Sequence, residues 1–271
     1  MQQITKNVYA ETGFRGSNNG FVVTSEGIVM IDTPQTPSEA VKWRDEIKKH
    51  GTVRYVINTE PHGDHFSGSY FFDGDVVGHE GTRQAILATS VEQFIQRTKQ
   101  MAPESAVLMD GFRFRPPTIT FSQKLTLHLG EHTFILTNFP GHTPYQAAVF
   151  VPEEKVLFAS DNVVVNAFPF LHQSVINEWF NSLKKMQEFE ADFLMPGHGP
   201  VSDRKAFAAM NTTLQVWVDA VTNAIKQGLP VEEAQEKISL LDRYPVPPER
   251  AAMMKQTQKA NIARLYEQLK K

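Results

Sequence analysis

The chain has 271 residues, with 27 lysine and arginine residues against 30 aspartate and glutamate residues, and it contains no cysteine. This near-neutral balance gives no electrostatic footprint for nucleic acid or for an anionic membrane, and the length is sufficient to bury a substantial core. The absence of cysteine excludes disulfides and thiolate ligands, so any metal site must use nitrogen and oxygen donors.

Membrane insertion and secretion are not indicated by the hydrophobic pattern. No apolar run approaches the ~20 residues that cross a bilayer. Residues 1–9 lack the apolar core of a secretion signal. We therefore expect a cytoplasmic protein that binds neither a membrane nor nucleic acid and acts on a small molecule.

The first third of the chain predicts strands followed by a helix and a further strand. Gly-Ser-Asn-Asn-Gly and Ser-Glu-Gly turns separate three short apolar runs. A helix is expected where Pro37 and Ser38 precede apolar residues at helical spacing. The predicted strands are 9–10, 20–24, 28–32 and 53–59, and the predicted helix is 36–50.

The middle of the chain predicts a helix, a series of strands and a second helix. The expected helices are 81–101 and the amphipathic segment 178–189, which precedes a strand ending at residue 195. The expected strands are 119–121, 125–129, 133–136, 147–151 and 155–159. This alternation predicts an α/β protein in which two sheets face each other with helices outside, a four-layer αβ/βα sandwich.

Beyond residue 200 the composition changes to helix formers, and three helices are expected at 204–226, 231–239 and 250–270. We therefore predict a first domain over residues 1–202 and a C-terminal helical extension over residues 203–271. Three roles for the extension stay open: packing against the sandwich, a contact that forms a homo-oligomer, or a cover over the active site.

The most informative segment is Thr-Glu-Pro-His-Gly-Asp-His-Phe-Ser-Gly at residues 59–68, which places His62, Asp64 and His65 directly after an apolar run. Imidazole and carboxylate donors suit zinc, iron or manganese. The spacing is too tight for all three side chains to reach one ion comfortably, which suggests two neighbouring ions. Gly and Asp also favour turns, so the segment alone is compatible with a solvated turn.

Three further candidate ligands each follow an apolar run. His142 lies in Phe-Pro-Gly-His-Thr-Pro, Asp161 in Leu-Phe-Ala-Ser-Asp-Asn, and His198 in Leu-Met-Pro-Gly-His-Gly-Pro. Short buried strands followed by loops that carry His or Asp are how a sheet delivers ligands to one edge. The pattern predicts a metal site at that edge.

Together these motifs resemble the metallo-β-lactamase-fold hydrolase superfamily over residues 5–200. The family motif His-x-His-x-Asp-His here begins with Glu60. The resemblance implies that His62 and His142 bind a first metal ion and that Asp64, His65 and His198 bind a second. Asp161 corresponds to the carboxylate that bridges both ions. The implied cofactor is a pair of divalent ions, zinc first, with iron or manganese as alternatives.

Glu60 departs from the family pattern, because it stands where the first histidine is usual. It could ligate the first metal through oxygen, which would favour iron or manganese. It could instead orient His62 or a water from outside the ligand set. A third interpretation is a weakened first site that fills only at high metal concentration. We take direct ligation as the working hypothesis.

The implied activity is that of a dinuclear metal-dependent hydrolase. A hydroxide held between two ions would attack a carbonyl, with Asp64 orienting the nucleophile and returning a proton to the leaving group. The expected substrate is a small ester, lactone, thioester or lactam. Alternatives are a β-lactamase with an atypical first site, an iron-dependent oxidoreductase of the same fold, and a binding protein without catalysis.

Residues 88–117 are rich in Met and Phe beside charged residues. Such a segment forms either an ordinary helix and loop packed on the sheet or an apolar wall beside the metal site. We take ordinary packing as the account of most of these residues, with the apolar wall as the functional alternative.

Overall fold

The computed structural model describes residues 1–270 of the chain. Within this range the chain forms twelve strands and eight α-helices. The strands are β1 (Gln2–Gln3), β2 (Val8–Glu11), β3 (Asn19–Thr24), β4 (Gly27–Ile31), β5 (Val53–Asn58), β6 (Asp75–His79), β7 (Ile119–Phe121), β8 (Lys124–Leu129), β9 (His132–Asn138), β10 (Ala147–Val151), β11 (Val156–Val164) and β12 (Phe193–His198). The helices are α1 (Pro37–Ile47), α2 (Gly63–Phe66), α3 (Glu80–Leu87), α4 (Val91–Met101), α5 (Ile176–Met186), α6 (Lys205–Lys226), α7 (Val231–Lys237) and α8 (Ala251–Leu269).

The strands form two mixed sheets. The first has the order β1-β2-β3-β4-β5-β6-β7, antiparallel up to β4 and parallel from β4 to β7. The second has the order β12-β11-β10-β9-β8, with only the β11–β12 pair parallel. The predicted α/β class is confirmed.

Alternation of side chains along buried strands divides the core into three layers. On β3, Phe21 packs outward against Trp43 of α1, whereas Val22 packs inward between the sheets. On β11, Leu157 packs outward against α5 and α6, whereas Phe158 packs inward. Since successive strand residues point to opposite faces, each sheet is covered on both sides, as a helix–sheet–sheet–helix sandwich requires.

The C-terminal helices belong to the outer core of the second sheet. Trp217 of α6 and Leu265 of α8 are fully buried in the same cluster as Trp179 of α5. Among residues 1–270, no helix is long and apolar enough to cross a membrane.

The parallel relationships bring particular strand ends to one edge of the sandwich. The carboxyl ends of β4 and β5 are adjacent in the first sheet. In the second sheet, β9, β11 and β12 run in the same direction, because β10 is antiparallel to both of its neighbours. The segments that follow these five strands therefore meet at a single edge.

Several local features differ from the sequence predictions: β1 was not predicted, and β11 extends to Val164, beyond the predicted end at residue 159. Residues 81–101 form two helices rather than one, because the Ser90 hydroxyl accepts a hydrogen bond from the Gln93 N–H and starts α4 afresh. Strand β6 was not predicted, since only Val76 and Val77 give its five residues an apolar character.

Candidate metal centre

The loop after β5 delivers four candidate ligands within residues 60–65. His62 has extended backbone angles and precedes the single helical turn of α2, in which Asp64 and His65 lie. The turn closes where the His65 N–H donates to the His62 carbonyl, 3.0 Å away. Glu60 precedes this turn and is completely buried. Residues 60–65 thus direct two carboxylates and two imidazoles towards the same side of the loop.

The other candidate ligands come from three separate segments of the second sheet. The loop after β9 places His142, whose N–H donates to Asn162 Oδ1 over 2.9 Å. Asp161 follows Ser160, a residue with a φ of 48° that kinks β11. His198 is the last residue of β12. A Cβ atom at Gly197 would lie 1.8 Å from Asp161 Oδ1, so glycine allows β12 to approach the aspartate.

The first group of donors is Glu60, His62 and His142. His62 Nδ1 lies 2.9 Å from Glu60 Oε2 and 3.0 Å from His142 Nε2. His142 Nε2 lies 3.8 Å from Glu60 Oε1. This group holds the two histidines that the resemblance assigns to the first ion, together with Glu60.

The second group is Asp64, His65 and His198. His198 Nε2 lies 3.4 Å from Asp64 Oδ2. Asp161 faces both groups, because its Oδ2 lies 3.3 Å from His198 Nε2 and 3.5 Å from His142 Nε2. Its Oδ1 lies 3.3 Å from His65 Nε2.

Glu60 also faces both groups. Its Oε1 lies 3.0 Å from His65 Nε2, and Glu60, His65 and Asp161 form a third set of converging donors. The carboxylate is therefore in the cluster itself rather than behind it. This position distinguishes it from an outer residue that only orients His62.

The spacing and bonding of the donors fit a divalent metal ion. Metal–donor bonds of about 2.0–2.2 Å place neighbouring donors about 3.0 Å apart in octahedral and about 3.3 Å apart in tetrahedral coordination, close to the separations above. Three buried atoms at the centre make no hydrogen bond of acceptable geometry among the described residues, although each lies within 3.3 Å of another candidate ligand atom: Glu60 Oε2, His65 Nε2 and Asp161 Oδ1. Buried polar atoms without partners are costly, and a cation would satisfy all three.

The electrostatics keep the carboxylates ionised. Burial alone would raise the pKa of Asp64, but the charges of His65 and His198 outweigh it and hold that pKa well below its usual range. Burial likewise opposes charge on His62 and His198, yet Glu60 raises the pKa of His62 to about 9 and Asp161 raises that of His198 to about 10. Both imidazoles must therefore release protons when they ligate a metal ion.

Burial has the opposite result at two other histidines. It lowers the pKa of His142, which is neutral and has a lone pair available. Burial, with the charge of His62 as the next cause, lowers the pKa of His172 to about 4. The His172 ring centroid lies 5.7 Å from that of His62, but His172 belongs to none of the converging donor sets in residues 1–270.

Outer hydrogen bonds fix the orientation of His65. Asp32 Oδ2 lies 2.8 Å from His65 Nδ1, so a proton on Nδ1 leaves Nε2 to face the other donors. The same carboxylate accepts hydrogen bonds from the N–H and hydroxyl of Thr59, at 2.8 and 2.7 Å. Ser160 Oγ lies 2.6 Å from the Thr59 hydroxyl. Asp32 and Ser160 both have positive φ, a strained conformation that recurs at functional sites.

Corresponding bonds orient the two histidines of the first group. His142 Nδ1 donates to the Phe170 carbonyl over 2.7 Å, which directs Nε2 into the cluster. His62 Nε2 lies 3.2 Å from Gln173 Oε1, and Nδ1 then faces Glu60. Oxygen partners on the second ring nitrogen are typical of metal-binding histidines.

Solvent reaches the cluster from one side. The side chains of His62, Asp64 and His198 are 24%, 23% and 26% exposed, whereas the remaining candidate ligands are buried. A substrate would thus approach across these three residues.

The structure brings together all seven residues that the sequence indicated as metal ligands: Glu60, His62, Asp64, His65, His142, Asp161 and His198. The sequence interpretation missed Asp32, Thr59 and Gln173. Asp32 could have been found, because it follows the apolar run of β4 just as the ligands follow theirs. Thr59 and Gln173 carry no such signal.

Comparison with known proteins identifies the family. A family model described as the metallo-beta-lactamase superfamily matches residues 12–198. The beta-lactamase-like protein 2 homolog of Caenorhabditis elegans is 21% identical over 70% of this chain and 58% of its own length. The hydroxyacylglutathione hydrolase of Bartonella henselae is 24% identical over 82% of each chain. The chain spans about half the length of several curated relatives that it matches.

A similar solved structure extends over almost the whole chain. It is a metallo-beta-lactamase family protein of Thermus thermophilus, with a TM-score of 0.73 and 17% identity, and the match covers 99% of this chain and 94% of that one. The chain belongs to the metallo-beta-lactamase superfamily.

Proposed function

From this family membership and the donor cluster, we propose a metal-dependent hydrolase with a dinuclear centre that cleaves an ester, lactone, thioester or lactam bond of a small substrate. The observation that carries the proposal is the convergence of seven donors, with unpartnered buried atoms at their centre. Zinc is the first expectation for the ions, and iron or manganese are the alternatives.

The two groups of donors divide the ligands between the ions. Glu60, His62 and His142 would hold one ion, and Asp64, His65 and His198 the other. Asp161 and Glu60 would each reach both, since their carboxylates face both groups. Bound divalent ions supply Lewis acidity, which lowers the pKa of water toward about 7 and polarises a carbonyl group.

Asp64 is the residue that would move protons. Its carboxylate is partly exposed on the side that faces solvent, so it can orient the attacking water by a hydrogen bond and relay a proton to the leaving group. Glu60 and Asp161 are buried more deeply and are suited to ligation rather than proton exchange with substrate.

An apolar wall beside the metal loop favours a substrate with an apolar part. The half-buried Phe94 of α4 lies 3.6 Å from the position that a Cβ would take at Gly63. Its ring contacts those of Phe112 and Phe114 at centroid distances of 5.4 and 5.1 Å. The wall supports the second of the two interpretations of residues 88–117.

The test is a hydrolysis panel on protein stripped with a chelator and reloaded with zinc or manganese. We expect metal-dependent turnover of at least one of the four bond classes. Asp64→Asn should abolish it, whereas Asp192→Asn, a surface substitution outside the cluster, should not. Metal-loaded protein that cleaves none of the four would contradict the proposal.

A second candidate function is an iron-dependent oxidoreductase. The observation that favours it is the first donor group itself, because two histidines and one carboxylate are the ligand set of many non-haem iron oxygenases. Iron-loaded protein would then consume oxygen with substrate, and the hydrolysis panel would be negative.

Domain boundaries and location remain predictions. We propose that residues 1–202 form the metallohydrolase domain and residues 203–271 its C-terminal extension. We further propose a cytoplasmic location and a homo-oligomer that forms through the C-terminal helices.

A further inference from the structure

The connection between β11 and α5, residues 165–175, touches both histidines of the first donor group. Its Phe170 carbonyl accepts the His142 Nδ1 proton at 2.7 Å, and Gln173 Oε1 lies 3.2 Å from His62 Nε2. The Val175 N–H also donates to the carbonyl of Gly141, the neighbour of His142, over 2.9 Å. The position of this 165–175 loop therefore sets the position of two candidate ligands.

The loop is held by one face of α8. Asn261 binds it with both ends of its amide: Oδ1 accepts from the Leu171 N–H at 2.7 Å and Nδ2 donates to the Pro169 carbonyl at 2.8 Å. Two further contacts follow on the same face. Arg264 Nε donates to the Ser174 carbonyl at 2.9 Å, and Gln268 Oε1 accepts from the Ile176 N–H at 2.9 Å. The spacing of three and seven residues places these side chains on one side of the helix.

Asn261 is the central contact. It is completely buried, as is Leu171. Asparagine is unfavourable within a helix because its side chain competes for backbone hydrogen bonds, so its place in the interior of α8 requires a tertiary partner. Without Asn261, the buried Leu171 N–H and Pro169 carbonyl would lose their hydrogen-bond partners, which would destabilise the folded protein. The loop would then shift to expose these groups to water or to other partners.

We infer that Asn261 is a positioning residue for the metal centre, acting through the 165–175 loop to fix His142 and His62. This inference rests on the proposed function in so far as those histidines hold a metal ion. It assigns a role to the C-terminal extension: α8 supports the first donor group through the 165–175 loop and without contributing a ligand.

The helix also contains a matched control. Gln258 lies three residues before Asn261, is 4% exposed, and likewise binds backbone with both ends of its amide. Its partners are the Leu240 N–H and the Ile238 carbonyl, which do not contact the donor cluster. A substitution at Gln258 therefore disturbs α8 to a similar degree without disturbing the 165–175 loop.

The experiment compares Asn261→Leu with Gln258→Leu by calorimetric titration of zinc into metal-free protein. Loss of an outer support of a ligand typically costs 10–100-fold in metal affinity, so we expect the dissociation constant of one ion to rise about tenfold or more for Asn261→Leu. Gln258→Leu should stay within about twofold of the parent chain. Equal weakening by both substitutions, or no effect of either, would overturn the inference.

Two additions keep the test decisive if Asn261→Leu does not fold. Asn261→Asp retains the acceptor for the Leu171 N–H but loses the donor to the Pro169 carbonyl. Arg264→Met removes the hydrogen bond to the Ser174 carbonyl near the surface. Lys259→Met is its control, because Lys259 of the same helix pairs with Glu236 of α7 and not with the 165–175 loop. We expect Asn261→Asp and Arg264→Met to weaken zinc binding more than Lys259→Met does, but by less than Asn261→Leu. Unchanged zinc affinity in both variants would overturn the inference.

A second readout does not require a metal ion. The His142 Nδ1–H signal in the NMR spectrum of the metal-free protein reports the bond to Phe170, and it should shift or vanish in the Asn261 variants but not in Gln258→Leu. A signal unchanged by either Asn261 variant would overturn the inference. If the parent chain binds no zinc, the proposed function fails, while this signal still decides the role of Asn261.

Discussion

The two sheets contribute to the donor cluster in contrasting ways. The first sheet supplies Glu60, His62, Asp64 and His65 from one loop after β5, which a single helical turn organises. The second sheet supplies His142, Asp161 and His198 from three segments far apart in sequence. The first contribution is local and carries most of the recognisable motif, whereas the second exists only once the sheet has formed.

The hydrogen bonds that orient the histidines of the two sheets also differ in how local they are. His65 is oriented by Asp32, a residue at the end of the adjacent parallel strand. His142 is oriented by the Phe170 carbonyl, in a loop that α8 of the outer helical layer binds through Asn261. Motif residues therefore indicate the chemistry of the centre, while the orientation of its histidines depends on elements that carry no motif.

The largest effect is expected where the two contributions meet, at Asp161. Asp161→Ala removes the carboxylate that faces both donor groups, so the variant should lose at least one ion and more than about a hundredfold in kcat, beyond the cost of losing an outer support. Elemental analysis and a rate measurement on the folded variant check this. Full activity with two ions would refute the dinuclear proposal.

A second prediction concerns the support of the first sheet. Asp32→Asn tolerates the same positive φ, but its single amide oxygen cannot replace the carboxylate that accepts three hydrogen bonds, from His65 and from the N–H and hydroxyl of Thr59. We expect zinc affinity to fall 10–100-fold. Asp192→Asn at the surface is the control. Comparison with Asn261→Leu shows whether the two supports affect different ions, and an Asp32→Asn variant that binds zinc like the parent would remove Asp32 from the account.

Glu60 tests whether the first sheet alone can reach both donor groups. Glu60→His restores the usual family residue but offers only one donor atom to the cluster, so one ion should bind normally and the other about tenfold more weakly. Titration with zinc separates the two affinities. Unchanged affinities and rates would mean that the carboxylate does not ligate.

The smallest effect is expected at the apolar wall. Phe94→Ala removes a ring beside the metal loop, and the KM for a substrate with an apolar part should rise several-fold while metal content stays constant. Phe193→Ala, an exposed phenylalanine at the start of β12, is the control. Equal KM values for the parent and Phe94→Ala would place the substrate elsewhere.

Much of this arrangement was predictable from sequence because strand ends are visible as apolar runs followed by polar residues. Asp161 was identified in this way, although it lies within β11 after a kink rather than beyond the end of the strand. Strand β6 was missed, since two valines are too few to give a periodic signal.

The remaining features depend on distance in space. Glu60 faces both donor groups because its Oε1 lies 3.0 Å from His62 Nδ1 and 3.0 Å from His65 Nε2. Sequence spacing does not specify this. Asn261 lies far from the motif loop in sequence and reaches the cluster only through another loop. No pattern in the chain connects them.

The metal content of the protein purified without added metal, measured by elemental analysis, tests the dinuclear centre most directly. We predict two ions per chain, zinc or manganese, because the two sheets together present two groups of donors. Absence of metal after exposure to zinc and manganese would contradict the account, and a single iron per chain would replace the hydrolase by the oxygen-dependent alternative.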